Sequence, residues 1–383
     1  MLIALAFLAA QELDVTVEAG KHDRKNVPVR VPAKVAPGTL LILDEASNKG
    51  YWGQAVLGEL SFVLPELKAG KSVTLKAGYL KDSPSPKGFV WHDKSGDHTE
   101  LSFDTRPVLR YMYKPLDDSS KEAREQTYKV FHHLFDPAGQ RLVTKGSGGR
   151  YTHHRGIFYG FNNSTYGTGK KVDIWHCPVA HQAHEKFVSV QEGPVLGRHV
   201  VQIAWHGVGK EVFAREEREL TVYNVPGGTL VEFASRLSPV LAPIKLDGDP
   251  QHAGFHFRAD NEVADKTAKQ TIFVRPDGAG KPGETRNWPG QKDHANLPWD
   301  AMSFVLGEKR YTVAYLDRPQ NPKEARFSER DYGRFGSYFV HTLEEGKTLD
   351  VRYRLWLQEG EMKPEEVAAK SADFLDPPKV TVK

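Results

Sequence analysis

The stretch LDVRYRLWLQ, residues 349–358, decides the fold class. Its side chains alternate with a period of two. Val351, Tyr353, Leu355 and Leu357 share one face, and Arg352, Arg354, Trp356 and Gln358 share the other. Successive residues of a strand point to opposite faces, so this is a strand with one apolar and one largely polar side, the signature of an antiparallel sheet. The same period runs through TLLIL (39–43), KSVTLKAGY (71–79), RHVVQIAW (198–205), ELTVYNV (219–225), TLVEFASRL (229–237) and YTVAYL (311–316). These runs are rich in Val, Thr, Tyr and Leu and are bounded by Gly, Pro, Asn and Asp. No β-then-helix alternation recurs, which argues against a parallel α/β fold. The expectation is a mainly β chain.

Working outward, residues 12–100 read as a small N-terminal β domain of sandwich type. Its short strands VTVEAG, VPVRVP and GTLLILDE are separated by turns about every ten residues, and KDSPSPKG (81–88) is the linker. Residues 101–360 read as one large antiparallel β-sandwich, interrupted by a long irregular insertion at 275–300. Loops of that length in compact domains are often functional. Helix signals are confined to 115–128 and to KPEEVAAKSADFL (363–375), where Pro364 and two glutamates suit a helix N-terminus. The second lies in a C-terminal helix and tail, 361–383.

Composition narrows the function classes. The formal charge is +3 over 383 residues, with no basic run, so nucleic acid is not an expected partner. The single cysteine, Cys177, excludes an intramolecular disulfide, a cysteine-type zinc site and an iron–sulfur cluster. The first ten residues are apolar and too short to span a bilayer. Residues 1–11 resemble a secretory signal core, which implies an exported, periplasmic or extracellular protein. No other segment approaches the roughly 20 apolar residues of a membrane helix. Histidine is the unusual residue: there are 16, and 11 fall between His132 and His256. Imidazole is the side chain best suited to proton transfer and metal ligation near neutral pH.

Four stretches carry candidate chemistry. In YTHHRGIFYGFNN (151–163), read as a continuous strand, His153 and Arg155 point with Tyr159, while His154 points the other way beside small glycines. In DPQHAGFHFRADNEV (249–263), Ala253, Phe255, Phe257 and Ala259 alternate with His252, Gly254, His256 and Arg258, so HAGFH is a strand rather than a helical zinc motif. On a strand His252 and His256 are roughly 13 Å apart, too far to share a metal. DIWHCPVAHQAHE (173–185) adds His176, His181 and His184 in an expected loop. Finally, REERELTVY supplies Glu217, and residues 315–339 supply Asp317, Asn321, Arg326 and Arg330. Each carboxylate is either an acid–base group or half of an ion pair. No nucleophile elbow, P-loop, dinucleotide fingerprint or HExxH motif is present.

Together HHRGIFYGFNN…DIWH, EERELTVY, HAGFHFRA and AYLDRPQNPKEARFSERDYGRFGSYF resemble the bacterial family labelled PmoA-like, over most of residues 100–360. That resemblance implies an exported bacterial protein, often from species that degrade complex polysaccharides. The label itself implies a methane monooxygenase subunit, which needs several long apolar spans that this chain lacks. The sheet pattern and the closing strand also resemble the supersandwich of the galactose mutarotase group. That resemblance implies a sugar site on a concave sheet lined by His, Arg, aromatic and acidic residues.

The expected function is a secreted carbohydrate-active enzyme, a hydrolase, lyase or epimerase that uses acid–base chemistry and no cofactor. His154 or His256 would move the proton with Glu217 or Asp317 as partner. Tyr159, Trp175, Trp205 and Trp299 would stack on sugar rings. His153, Arg155, His176, His252, Arg258, Asn321, Arg326 and Arg330 would complete the substrate site. Two alternatives stand beside it: a metal-dependent oxidoreductase or hydrolase using His153, His154 and His176, and a non-catalytic glycan-binding protein.

Overall fold

The computed structural model describes residues 12–56, 58–80 and 86–383. The expected signal segment, 1–11, lies outside the described residues, as does most of the 81–88 linker. LDVRYRLWLQ forms the strand Leu349–Glu359, paired antiparallel with Thr229–Pro239 on one side and Lys309–Asp317 on the other. It is central in a nine-stranded sheet that ends at His181–Gln191 on one edge and at Gly278–Ala279 on the other. A second sheet of eight strands runs from Arg326–Arg330 through Arg334–Tyr338, Ala253–Arg258 and Ile157–Phe161 to Phe89–Lys94.

The two sheets pack face to face. The predicted apolar set Val351, Tyr353, Leu355 and Leu357 is buried in the shared core with Ile157, Tyr159, Phe161, Phe255 and Phe257 of the opposite sheet. Phe255 stacks on Tyr353 at 4.5 Å between ring centroids and meets Phe233 at 4.4 Å. The fold is thus a mainly β, antiparallel sandwich. Buried apolar area of this extent is the main favourable term in its stability.

The polar face of Leu349–Glu359 is not left to solvent throughout. The predicted helix, Pro364–Leu375, packs over it, burying Trp356 against Met362 and Val367. Arg354 is ion-paired with Glu232 and lies over the Phe374 ring. The predicted short helix also forms, over Lys121–Thr127, with Ser120 accepting from the Ala123 N–H as its cap.

The N-terminal unit departs from its expected limits. Its strands end at Ser72–Gly78, and Phe89–Lys94 and His98–Phe103 join the eight-stranded sheet instead. The unit is one seven-stranded antiparallel sheet curled on its own core of Val15, Val17, Ile42, Phe62 and Leu75. The C-terminal tail returns to complete it: Lys379–Val382 pairs with Leu13–Glu18, so both ends of the described chain lie in one sheet. Among the described residues no helix is long and apolar enough to cross a membrane.

Candidate metal centre

The eight-stranded sheet has an outer face as well as a core face. Because Ala253, Phe255 and Phe257 point into the core, His256 and Arg258 point outward. So does Phe158 of Ile157–Phe161, which packs with Trp175 and Phe131 in a small cluster of its own. This outer face is covered, and every residue of Ala253–Arg258 is buried. Residues 151–155 and 173–176 lie over it.

These covering segments are held by cations on backbone carbonyls. Lys129, 2 % exposed, donates to the carbonyl of His153 at 2.5 Å and to that of Trp175. Arg155 donates to the carbonyls of Thr152, His154 and Glu125. The expected strand through 151–155 is corrected here: the strand begins at Ile157, and the residues before it form a turn closed by His154 N–H on the Tyr151 carbonyl. In the sheet register Ile157 faces Phe257 and Phe161 faces Ala253. A straight extension would carry His153 far from His252; the turn folds back and brings the rings to 5.3 Å.

Four imidazoles meet in this way. Ring centroids are 4.4 Å apart for His153 and His154, 4.5 Å for His153 and His176, and 4.6 Å for His176 and His252. Ligand nitrogens of His153, His154 and His252 all lie within 4.8 Å of one another. Two of the rings are oriented by carboxylates. His176 Nδ1 is 2.8 Å from Asp173, and His252 Nδ1 is 3.0 Å from Asp249. Each carboxylate is itself fixed by the backbone: Asp173 accepts from the Trp175 and His176 N–H groups, and Asp249 from that of Gln251. An Nδ1–H held by a carboxylate leaves Nε2 with its lone pair, as in metal-ligating histidines. Among the described residues, His153 Nε2 and both nitrogens of His154 are buried without hydrogen-bond partners. Burial, then Lys129, His176 and His252, hold His153 down to about 3. Burial, then Arg334, push His154 far below the usual imidazole range. Both rings are neutral, the ligating form.

The surroundings are cationic and aromatic. Arg258 donates through Nη1 to the carbonyls of Ala259 and Tyr332, while its Nε and Nη2 have no partner among the described residues. Tyr332 lies 6.0 Å from His154 and 4.7 Å from Tyr151, which is 41 % exposed.

The remaining sequence candidates fall elsewhere or do other work. His256 has both nitrogens engaged: Nε2–H donates to the Ala253 carbonyl at 2.7 Å, and Nδ1 accepts from Arg334 at 2.8 Å. It has no free lone pair or proton with which to act as acid or base. Glu217 sits on the other sheet, paired with Arg236. Asp317 is buried and bound by Asn321 and Lys323, and Asn321 also ties the Arg352 backbone, so this pair shapes a loop. Arg155 is spent on carbonyls and is 2 % exposed, so it is no substrate clamp. Tyr159 and Trp205 are fully buried in the sandwich core and Trp299 is 4 % exposed under the C-terminal helix, so none of them offers a face to a sugar. Trp175 is buried beneath the cluster, 4.9 Å from His256. Arg326 lies over Trp288, and Arg330 binds Asn287. His181 and His184 are on the strand His181–Gln191, not in a loop; they stack on His206 and pack on Tyr113, away from the cluster. Cys177 is buried, with its thiol pushed up to about 12 by burial.

Sequence reasoning missed Asp173 and Asp249 as site residues. The signal was present as a repeated tetrapeptide, D-x-x-H, in DIWH (173–176) and DPQH (249–252).

A model of a family described only as of unknown function, DUF6807, matches residues 98–372. No curated protein matches. Among solved structures, a protein in glycosyl hydrolase family 38 from Enterococcus faecalis aligns with a TM-score of 0.49 at 8% identity, covering 98% of this chain and 48% of that one. The GH36 α-galactosidase AgaA from Geobacillus stearothermophilus aligns at 0.33 and 11% identity, covering 72% and 41%. The chain thus spans about half the length of these proteins or less.

Proposed function

The chain belongs to DUF6807, a family whose function is not established, and we propose that it is a metal-dependent enzyme centred on His153, His154, His176 and His252. One observation carries the reading: two carboxylate-oriented imidazoles lie against the half-buried His153 and the buried His154, whose enclosed Nε2 and two ring nitrogens, respectively, have no partner among the described residues. An unsatisfied buried polar atom costs about 1–3 kcal/mol, which a bound cation offsets. The donor set is all imidazole, which suits zinc, copper, nickel or iron and not calcium or magnesium. Nitrogens sharing one zinc sit about 3.3 Å apart, so closure from 4.8 Å needs only small side-chain rotations.

Such an ion polarises a substrate oxygen or supplies a bound water of lowered pKa. The chain's own residues do the rest. Asp173 and Asp249 hold their rings in the ligating tautomer. Tyr151 and Tyr332 would cover the apolar face of a ring. Aromatic stacking and a hydroxyl-binding metal together support a carbohydrate-type substrate. Acid–base catalysis by the expected His–Glu or His–Asp pairs finds no support, because neither Glu217 nor Asp317 partners a histidine.

The test is elemental analysis of unchelated protein, then zinc and copper titration of the chelated form. Loss of one tightly held equivalent in His176→Ala/His252→Ala is expected, with turnover of an oligosaccharide only in the metal-loaded protein. Wild-type-like metal content in that double variant would overturn the reading.

A further inference from the structure

We propose a second and separate cation site, built from His294, Asp300 and Glu329, which takes one divalent transition-metal ion such as zinc or manganese. The three residues come from different parts of the fold. Asp300 is the second residue of the strand Trp299–Leu306 of the nine-stranded sheet. Glu329 lies on Arg326–Arg330, the edge of the eight-stranded sheet. His294 comes from the long insertion that leads into Trp299–Leu306. One ligand atom from each lies within 4.8 Å of the others. Exposure is 3 % for His294 and 0 % for both acids, so this is no surface cluster of carboxylates.

Charge carries the argument. Glu329 is held by Arg275, whose Nε and Nη2 donate to its two oxygens at 2.7 and 2.6 Å, and by the Arg286 backbone N–H. That guanidinium balances one carboxylate. Asp300 is the second, and among the described residues neither of its oxygens has a hydrogen-bond partner. The Ala301 N–H only approaches it. His294 Nε2 stands 3.3 Å from Glu329 without hydrogen-bond alignment and is likewise unpartnered. The nearest counter-charges to Asp300, Arg275 and Arg286, act without a direct hydrogen bond, and Arg275 is already shared with Glu329, so a fully buried Asp300 anion is costly. Either a proton or a cation must sit there.

Geometry favours the cation. A proton satisfies Asp300 but leaves His294 Nε2 only the poorly aligned 3.3 Å approach to Glu329. A metal takes one lone pair from each of the three residues. One imidazole with two carboxylates is a donor set for zinc, manganese or iron, and three protein ligands leave a position open. Arg275 then acts in the outer layer, fixing the plane of Glu329 while its charge is shared. Arg275 and His294 also line a cavity of about 150 Å³, with Asp277 and Asp293 on its wall.

The test uses the full chain, with Mn²⁺ and Zn²⁺ as probes after chelation and dialysis. Elemental analysis should find one retained equivalent in His176→Ala/His252→Ala and none when Asp300→Asn is added. Mn²⁺ bound in the double variant should give an immobilised electron paramagnetic resonance spectrum that Asp300→Asn abolishes. His294→Ala, a loop substitution, serves as a second variant if Asp300→Asn does not fold. The proposal is overturned if the double variant retains no metal, or if its metal content is unchanged by both substitutions. Failure of the four-histidine reading looks different: the wild type would then hold one equivalent, sensitive to Asp300→Asn and indifferent to His252→Ala.

Discussion

Replacing Asp249 by Asn removes one negative charge while keeping the shape of the side chain. In the native arrangement Oδ1 accepts from the Gln251 N–H at 2.8 Å and from His252 Nδ1 at 3.0 Å, and Oδ2 accepts from Asn162 Nδ2 at 2.6 Å. An amide oxygen in the Oδ1 position keeps the first two. The amide nitrogen then faces the Asn162 nitrogen, donor against donor. Asn162 cannot flip without cost, because its own oxygen accepts the Asp249 N–H at 3.1 Å. One charge-assisted hydrogen bond is therefore lost, about 1.5–3 kcal/mol of fold stability. At the metal, loss of an outer-layer carboxylate weakens binding about 10–100-fold, or roughly 1.4–2.7 kcal/mol. The two effects are measured separately, by urea unfolding in chelator and by competition of a zinc indicator against the protein. Burial raises the Asp249 carboxyl, but the His252 hydrogen bond and charge outweigh it and hold the group well below the usual range. A depressed folded pKa gives stability that is present above about pH 4 and lost on acidification. Asp249→Asn should flatten that acid limb. The reasoning fails if zinc affinity stays within twofold of wild type while stability falls as computed, since the carboxylate would then serve the fold alone. Asp173→Asn should repeat the metal effect, and the double variant should multiply the two losses, because each acid orients a different ring.

Three further outcomes follow from other parts of the molecule. Glu216 and Arg218 are both 0% exposed, joined at 2.7 and 2.8 Å, with Trp205 donating to the same carboxylate. Glu216→Gln should cost about 3–5 kcal/mol in chemical denaturation by stranding the guanidinium, and a loss under 1 kcal/mol would contradict a dry interior. Lys129 is lowered to about 7, chiefly by burial, so between pH 7 and 9.5 the unfolded chain holds a proton that the folded chain has released. Stability from this group therefore rises with pH, by on the order of 2–3 kcal/mol across that window, and Lys129→Met should remove the slope in pH-dependent denaturation while loosening the His153 turn. The Cys177 thiol, buried and pushed up to about 12, should resist a thiol reagent in the folded protein and react fully in denaturant. Rapid native labelling would place it at the surface.

The alternation in LDVRYRLWLQ, TLVEFASRL and HAGFHFRA was enough to read an antiparallel sandwich and to assign core faces, because a half-buried strand writes its burial into a period of two. The helix at 363–375 was equally legible from its proline and acidic first turn. What the period cannot show is which outer face stays open. Trp299 and Trp356 sit on faces that look solvated by pattern, yet the C-terminal helix covers them. Tyr159 and Trp205 look like binding aromatics by type and are core residues by position.

The site divides along the same line. Sequence alone determined that histidine is concentrated in the middle of the chain and offered His153, His154 and His176 together as one alternative; the D-x-x-H spacing, a local relation, was present but went unread. Sequence did not determine that His252 joins the other three histidines. Strand geometry separates His252 from any straight continuation of Ile157–Phe161, and the meeting depends on Lys129 and Arg155 folding the 151–155 turn back over the sheet. It equally did not determine that His294, Asp300 and Glu329 converge across two sheets, or that Arg155 and His256 are already engaged. Such contacts join residues distant in sequence and are fixed by packing and by the need of each buried polar group for a partner, and only the tertiary structure decides them.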